Sequence, residues 1–222
     1  MDVREALFAR QSTRAFLDKP VAPALLTSIF EAAQQAPSNC NTQPWQTIIV
    51  SGCARDELER ALAAHVASGE SPAPDFGPSV LPAYAGVHRD RQYAAAAELY
   101  TAMDIERGDK LARTRASLRN WSFFGAPHVA LFTMDRSLGL MGAVDVGGYA
   151  HGLALLLTVN GIGSCPQASL GYFPAPIREY LDIPDHMGIL FGMSFGYPDP
   201  HALANRVRTG RATVLDAVRF VE

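Results

Sequence analysis

The passage Ala143–Val159, AVDVGGYAHGLALLLTV, constrains the fold of this 222-residue chain more than any other. Alanine and leucine favour a helix, and the apolar side chains run nearly all round it rather than along one stripe. Such a helix has to be central, and Gly147, Gly148 and Gly152 let its neighbours approach closely. Its most apolar part, Gly152–Val159, is far shorter than the roughly 20 residues of a membrane span.

Around that helix the chain reads as a single domain over residues 1–222. A 48% hydrophobic and 18% charged composition is enough to bury a sizeable core. A net charge of −3, with no Lys/Arg patch interleaved with aromatics, gives no reason to expect nucleic acid as a partner. The N-terminus MDVREALFARQ carries charges where a secretory signal needs an apolar run, so a cytoplasmic, membrane-free protein is expected. Cys40, Cys53 and Cys165 form no CxxC pair and suggest neither a disulfide framework nor zinc; Cys165 reads as a buried small hydrophobe.

In chain order, Asp2 caps a helix over Val3–Ala9, and Pro23 opens a second, with Leu26, Ile29, Phe30 and Ala33 at helical spacing. Trp45–Val50 reads as a strand and Ala54–Ala67 as a helix. Pro72, Pro74, Pro78 and Pro82 then mark an irregular surface excursion over about 68–91, a candidate lid. Helices over Gln92–Ile105 and Lys110–Trp121 precede a buried-looking strand, Pro127–Met134. After the central helix come a glycine turn at Gly161–Gly163, a helix over Pro176–Leu181 and a strand over Gly188–Phe195. The end of the chain, about 198–222, looks like an arm that needs a second subunit to lie on.

Two stretches carry chemistry. Ala36–Trp45, APSNCNTQPW, stops a helix at a proline and follows it with short polar side chains and an aromatic, the make-up of a ligand-cradling turn. Upstream, Arg10-Gln11-Ser12-Thr13-Arg14-Ala15-Phe16 sets two arginines around a serine, which suits a dianionic phosphate through charge-assisted hydrogen bonds.

RQSTRAF followed by APSNCNTQPW, then SCPQASL, LFGMSFGYPD and NRVRTGR, resembles the nitroreductase family of FMN-dependent oxidoreductases over nearly the whole chain, least from Ser68 to Asn120. The resemblance implies an α+β fold with a central, mostly antiparallel mixed sheet covered by helices. It also implies an intertwined homodimer that exchanges C-terminal arms and holds two FMN at its interface. Carried across, Arg10, Gln11, Ser12 and Arg14, joined by Arg211, would hold the phosphate and ribityl chain. Pro37, Ser38, Asn39, Asn41 and Gln43 would line the ring and ribityl, some from the second subunit. Around Pro166, Gln167 and Ala168 the family places a backbone amide against flavin N5, so that the cofactor performs the hydride transfer and no side chain is catalytic. The chain departs from some members in having Thr209 and Thr213 flanking Arg211 where they carry lysine and proline; Arg208 is the candidate replacement charge.

Other motifs lead elsewhere. Gly192–Gly196 matches GxSxG, but Tyr197-Pro198-Asp199-Pro200 cannot begin the helix that a nucleophile elbow needs. The six histidines show no metal-ligand spacing, and neither a P-loop nor GxGxxG is present. Without a dinucleotide fold, NADH or NADPH has to meet the flavin face that later receives the acceptor, which implies ping-pong exchange. Phe123 and Phe124 are candidates for an apolar wall against a small aromatic substrate such as a nitroarene or quinone. Other flavin chemistry, reductive dehalogenation or flavin cleavage, and a flavin- or small-ligand-binding dimer without turnover are the alternative readings.

Overall fold

The computed structural model describes residues 1–77 and 83–222. Its elements are α1 (Val3–Ala9), α2 (Pro23–Ala33), β1 (Gln46–Ser51), α3 (Gly52–Ala67), α4 (Gly86–Ala102), α5 (Lys110–Leu118), β2 (His128–Asp135), α6 (Gly139–Val159), β3 (Gly163–Gln167), α7 (Pro174–Leu181), β4 (Met187–Gly196) and α8 (Val214–Ala217). The fold is α+β, with a sheet in the order β1-β2-β4-β3 whose neighbours all pair antiparallel. Its parallel element, among the described residues, is an isolated bridge between Ser12 and Ser164.

Strand β2 shows why the sheet is covered on both faces. It is buried from His128 to Met134, and its side chains alternate between two cores. Val129 and Leu131 join Leu58, Leu62 and Ile177 beneath α3 and α7. Ala130, Phe132 and Met134 join Ile29, Val146 and Leu153 beneath α2 and α6. His128 is also buried: its Nε2 accepts from the Val21 N–H at 2.9 Å, and Nδ1 lies 2.5 Å from Ser51 Oγ. Burial lowers the His128 pKa below the ordinary histidine value and favours the neutral ring that this pairing requires.

Helix α6 is central, as its composition demands, but only on one side. Val146, Tyr149, Ala150, Leu153 and Leu157 are buried against the sheet. Trp45 stacks on Tyr149 with centroids 4.8 Å apart, and its indole N–H donates to Gln34 Oε1 at 3.0 Å, so it is a core residue that ties α2 to α6. The segment Arg136–Val159 is long and apolar enough, by length and composition alone, to cross a membrane. On its other side Leu140, Met141 and Val144 are exposed, as are Phe8 of α1 and Leu215 and Phe220 near the C-terminus. The all-round apolar character thus serves the sheet on one face and leaves the other bare.

Two boundaries differ from the sequence reading. The excursion expected over 68–91 ends at 85, where α4 begins, and its first part is a fastened strap. The Ala73 N–H donates to the Tyr172 carbonyl at 2.9 Å. Asp75 pairs with Arg136 and Arg178 and accepts the Ile189 N–H at 2.8 Å. These contacts tie residues 73–75 to the body rather than leaving them as a free lid; Pro78 and Pro82 lie outside the described residues. The arm expected from 198 starts nearer 207. Pro198 bridges Phe16, the Asp199 N–H donates to the Ala15 carbonyl at 3.1 Å, and Ala204 and Asn205 are buried.

Candidate active site

The turn from Arg10 to Arg14 is held mainly through its backbone, with Gln11 Nε2 also donating to the Asn205 carbonyl at 3.1 Å. Arg10 closes α1, its N–H donating to the Ala6 carbonyl at 2.9 Å. The Thr13 N–H donates to the Ser164 carbonyl of β3 at 2.9 Å, and Thr13 packs where any Cβ on Gly163 would collide with it and with Pro198. Asn205 is the hub. Its Oδ1 accepts from the Arg14 N–H at 2.7 Å, and its Nδ2 donates to the carbonyls of Ala15 at 2.8 Å and Asp199 at 2.9 Å. Arg119 Nη2 donates to the Arg14 carbonyl at 2.8 Å, completing the frame.

Arg10, Gln11, Ser12 and Arg14 line a cavity of about 440 Å³, together with Leu7, Phe8, Val207, Arg208, Thr209 and Arg211. This brings together every residue of the predicted phosphate group. Among the described residues none of the four arginines is within ion-pair distance of a carboxylate. Burial, and then the neighbouring Arg211, hold the Arg10 pKa below its ordinary value. A cluster of like charges with no counter-ion is unfavourable until an anion enters. Gln11 Oε1 is buried without a partner, leaving an acceptor for a ligand hydroxyl.

Arg14 also lines a second cavity of about 230 Å³, with Arg119, Asn120, Phe124, Cys165, Pro166, Leu99 and Tyr100 of α4, and Met103 just past its end. Gln167 turns its side chain away from it. Ser194 Oγ donates to Gln167 Oε1, while Gln167 Nε2 donates to the Asn120 carbonyl at 2.7 Å. Ser169 Oγ in turn donates to Asn120 Oδ1 at 3.2 Å. The Gln167 side chain is therefore occupied within the chain, and neither Gln167 nor Ala168, which begins the following 3-10 turn, lines either cavity. The same network places the serine of the GxSxG match fully inside the core, donating inward. Burial raises the Cys165 thiol pKa, which leaves it a packing residue.

The paired phenylalanines separate. Phe123 is wholly buried with Val50, Leu58 and Val129, and the Arg55 guanidinium lies 5.4 Å from its ring centroid, so it cannot be the expected substrate wall. Both residues have positive φ, and this kink turns Phe124 toward the second cavity, with Arg119 at 5.9 Å from its ring centroid. Burial lowers the Arg119 pKa. Asn205 and Arg119 were not identified as site residues from the sequence, and no local signal could have done so, because each acts on a turn far away in the chain.

The second motif stands apart. Pro37, Ser38, Asn39, Asn41 and Gln43 line neither cavity. Cys40, Asn41 and Gln43 have φ of 50°, 55° and 48°, a conformation costing roughly 1 kcal/mol or more per residue. Ser38 Oγ accepts the Gln43 N–H at 2.9 Å, and Asp145 of α6 accepts the Asn39 N–H at 3.0 Å. Most of these polar side chains are exposed, so the turn is shaped and anchored without a ligand face in its own chain.

The comparisons with known proteins agree with this geometry. A model of the nitroreductase family matches residues 7–197. The chain is 37% identical over 211 residues to nitroreductase NfnB of Mycolicibacterium smegmatis, covering 95% of this chain and 89% of that protein. It is 33% identical over 221 residues to a 4-nitrobenzoate reductase of Pseudomonas putida, covering 99% and 96%. Among solved structures, the FMN-dependent nitroreductase NfnB from Mycobacterium smegmatis in complex with NADPH superposes with a TM-score of 0.93 at 35% identity, over 100% of both chains. The FMN- and NADPH-dependent nitroreductase NfnB from sphigopyxis sp. strain HMH gives 0.95 at 32%, again over 100% of both. With a buried sheet, an arginine-lined cavity and these matches in agreement, the chain belongs to the nitroreductase family.

Proposed function

We propose that this protein is an FMN-dependent oxidoreductase that takes hydride from NADH or NADPH and, by ping-pong exchange, reduces nitroaromatic or quinone-like acceptors as a homodimer. The observation that carries the reading is the cluster of four guanidinium groups without a counter-ion around the larger cavity, a match for a phosphate dianion. Bound FMN would supply the two-electron chemistry, its ring accepting hydride from the nicotinamide and passing it to the acceptor. The protein binds and orients. Arg10, Arg14, Arg208 and Arg211 would neutralise the phosphate, Ser12 would donate to it, and Gln11 Oε1 would accept from the ribityl chain. Arg14 and Pro166 lead from that end into the second cavity, where Leu99, Met103 and Phe124 limit water. Ser38, Asn39, Asn41 and Gln43 complete the site of a second copy, which gives their strained turn a purpose. The exposed apolar residues of α1, α6 and the C-terminal arm form the dimer surface.

The test is the visible spectrum of the purified protein under anaerobic conditions. A flavin spectrum that bleaches with NADPH or NADH and returns on adding a nitroarene is the expected outcome. A protein that remains colourless after incubation with FMN contradicts the reading.

A further inference from the structure

A third cavity, of about 600 Å³, opens between α4 and α5 and is lined by Tyr93, Ala96, Ala97, Tyr100, Thr101, Ile105, Arg107 and Arg113. Tyr93 and Tyr100 are two helical turns apart and so share a face of α4, with Ala96 and Ala97 leaving room between them. The Arg113 guanidinium lies 5.1 Å from the Tyr100 ring centroid, and its Nη1 donates to the Arg107 carbonyl at 3.3 Å. That uses one of its five N–H groups. Among the described residues neither Arg107 nor Arg113 is in an ion pair, and no acidic residue lines the cavity. Tyr93 is 64% exposed and offers an aromatic face for stacking.

Tyr100 is also a wall of the cavity that contains Arg14 and Pro166. The three cavities are therefore neighbours, the first two sharing Arg14 and the last two sharing Tyr100. We infer that the α4–α5 cavity receives the phosphorylated adenosine end of NADPH, with adenine against Tyr93 and the 2′-phosphate between Arg107 and Arg113, and so favours NADPH over NADH. The inference rests on the function proposed above. It follows from charge and shape: two arginines without counter-ions beside an aromatic face suit a phosphate attached to a purine nucleoside. The volume is in the range of small-molecule sites. The 2′-phosphate is the group that NADH lacks.

The experiment uses the FMN-loaded full-length protein and the double variant Arg107→Gln/Arg113→Gln, with kcat/KM measured for NADPH and NADH at a fixed nitrobenzene concentration. Both side chains are exposed, so the variant is expected to fold. The ratio of kcat/KM for NADPH to that for NADH should fall about tenfold or more, through KM for NADPH, and Arg113→Lys should restore part of it. An unchanged ratio overturns the inference, whether both nucleotides weaken together or neither does. So does an effect confined to 4-nitrobenzoate relative to nitrobenzene, which would assign the arginines to an acceptor carboxylate. A wild-type protein bleached by neither nucleotide would sink the proposed function itself, and this inference with it; bleaching by both with an unchanged ratio sinks only the latter.

Discussion

The arginine turn at residues 10–14 and the polar turn at 37–43 are both short, polar and placed directly after a helix, yet the chain treats them in opposite ways. The first is bound to the body by Asn205, Ser164 and Arg119, and its side chains meet in one cavity. The second hangs from α6 through Asp145, stores positive-φ strain and aims at nothing in its own chain. One presents its side chains to a cavity of its own chain; the other presents them to solvent. Backbone strain that persists without a local beneficiary is most simply explained by a ligand or a second copy.

Removing the charges of the first turn should have the largest effect. Arg10→Ala/Arg14→Ala is expected to weaken FMN binding by about 100-fold or more, read by flavin fluorescence titration, since each charge-assisted hydrogen bond is worth about 1.5–3 kcal/mol. The fold should survive, because the hydrogen bond of the Arg14 side chain within the chain is a long one, 3.4 Å to the Ser12 carbonyl. Arg211→Ala should act in the same direction and less strongly, its side chain lying on the exposed arm.

Asn205→Ala sharpens the contrast from the other side. It strips partners from the Arg14 N–H and from the Ala15 and Asp199 carbonyls, and should cost about 2–3 kcal/mol of stability in a thermal or denaturant melt, with FMN affinity falling as a consequence. A variant as stable as wild type would show that the arginine turn is not held by this hub.

Ser38→Ala and Asn41→Ala should be milder. The first removes the acceptor of an exposed N–H, and the second puts an alanine at a φ of 55°, each costing about 1 kcal/mol or less. Both should still reduce FMN binding several-fold, although neither residue lines a cavity of its own chain. Wild-type affinity in both would leave the second turn without a role in binding.

The smallest effect is a pH dependence distant from both turns. His128 is held neutral, with its pKa lowered by burial, so the unfolded chain binds more protons than the folded one as acidity rises. Its contribution to stability is fully present above the ordinary histidine pKa of about 6.5 and is lost as pH falls from there through the lower folded-state value. Melting temperatures between pH 8 and 5 should therefore drop more steeply for wild type than for His128→Gln, whose side chain does not titrate in that range. Parallel profiles would show that His128 is not the group responsible.

The same contrast marks how much was legible in the sequence. Periodicity and composition located α2, α6, β2 and β4 to within a few residues, because burial on one or both faces leaves a pattern that a single chain displays. The start of α4 at Gly86 was missed, since that helix buries no residue and has no apolar stripe to read. Phe123 was misassigned because an aromatic pair looks alike whether it faces a ligand or a core, and only the kink at positive φ separates the two. Asn205 and Arg119 gain their roles from hydrogen bonds spanning 191 and 105 residues, which leave no local trace. The pairing of Arg10 with Arg14 was legible because the two charges stand close together in the chain; the structure brings Arg208 and Arg211 to the same cavity.

The most direct measurement pairs the two turns in one dimer. Chains carrying Arg10→Ala/Arg14→Ala are co-expressed with chains carrying Ser38→Ala/Asn41→Ala, the mixed dimer is isolated through two different affinity tags, and its FMN affinity is titrated. If each site joins the arginine turn of one chain to the polar turn of the other, one of the two sites is intact and the mixed dimer binds one FMN per two chains with wild-type affinity. If each site lies within one chain, every site carries a lesion, and a mixed dimer with no site of wild-type affinity would contradict the shared site.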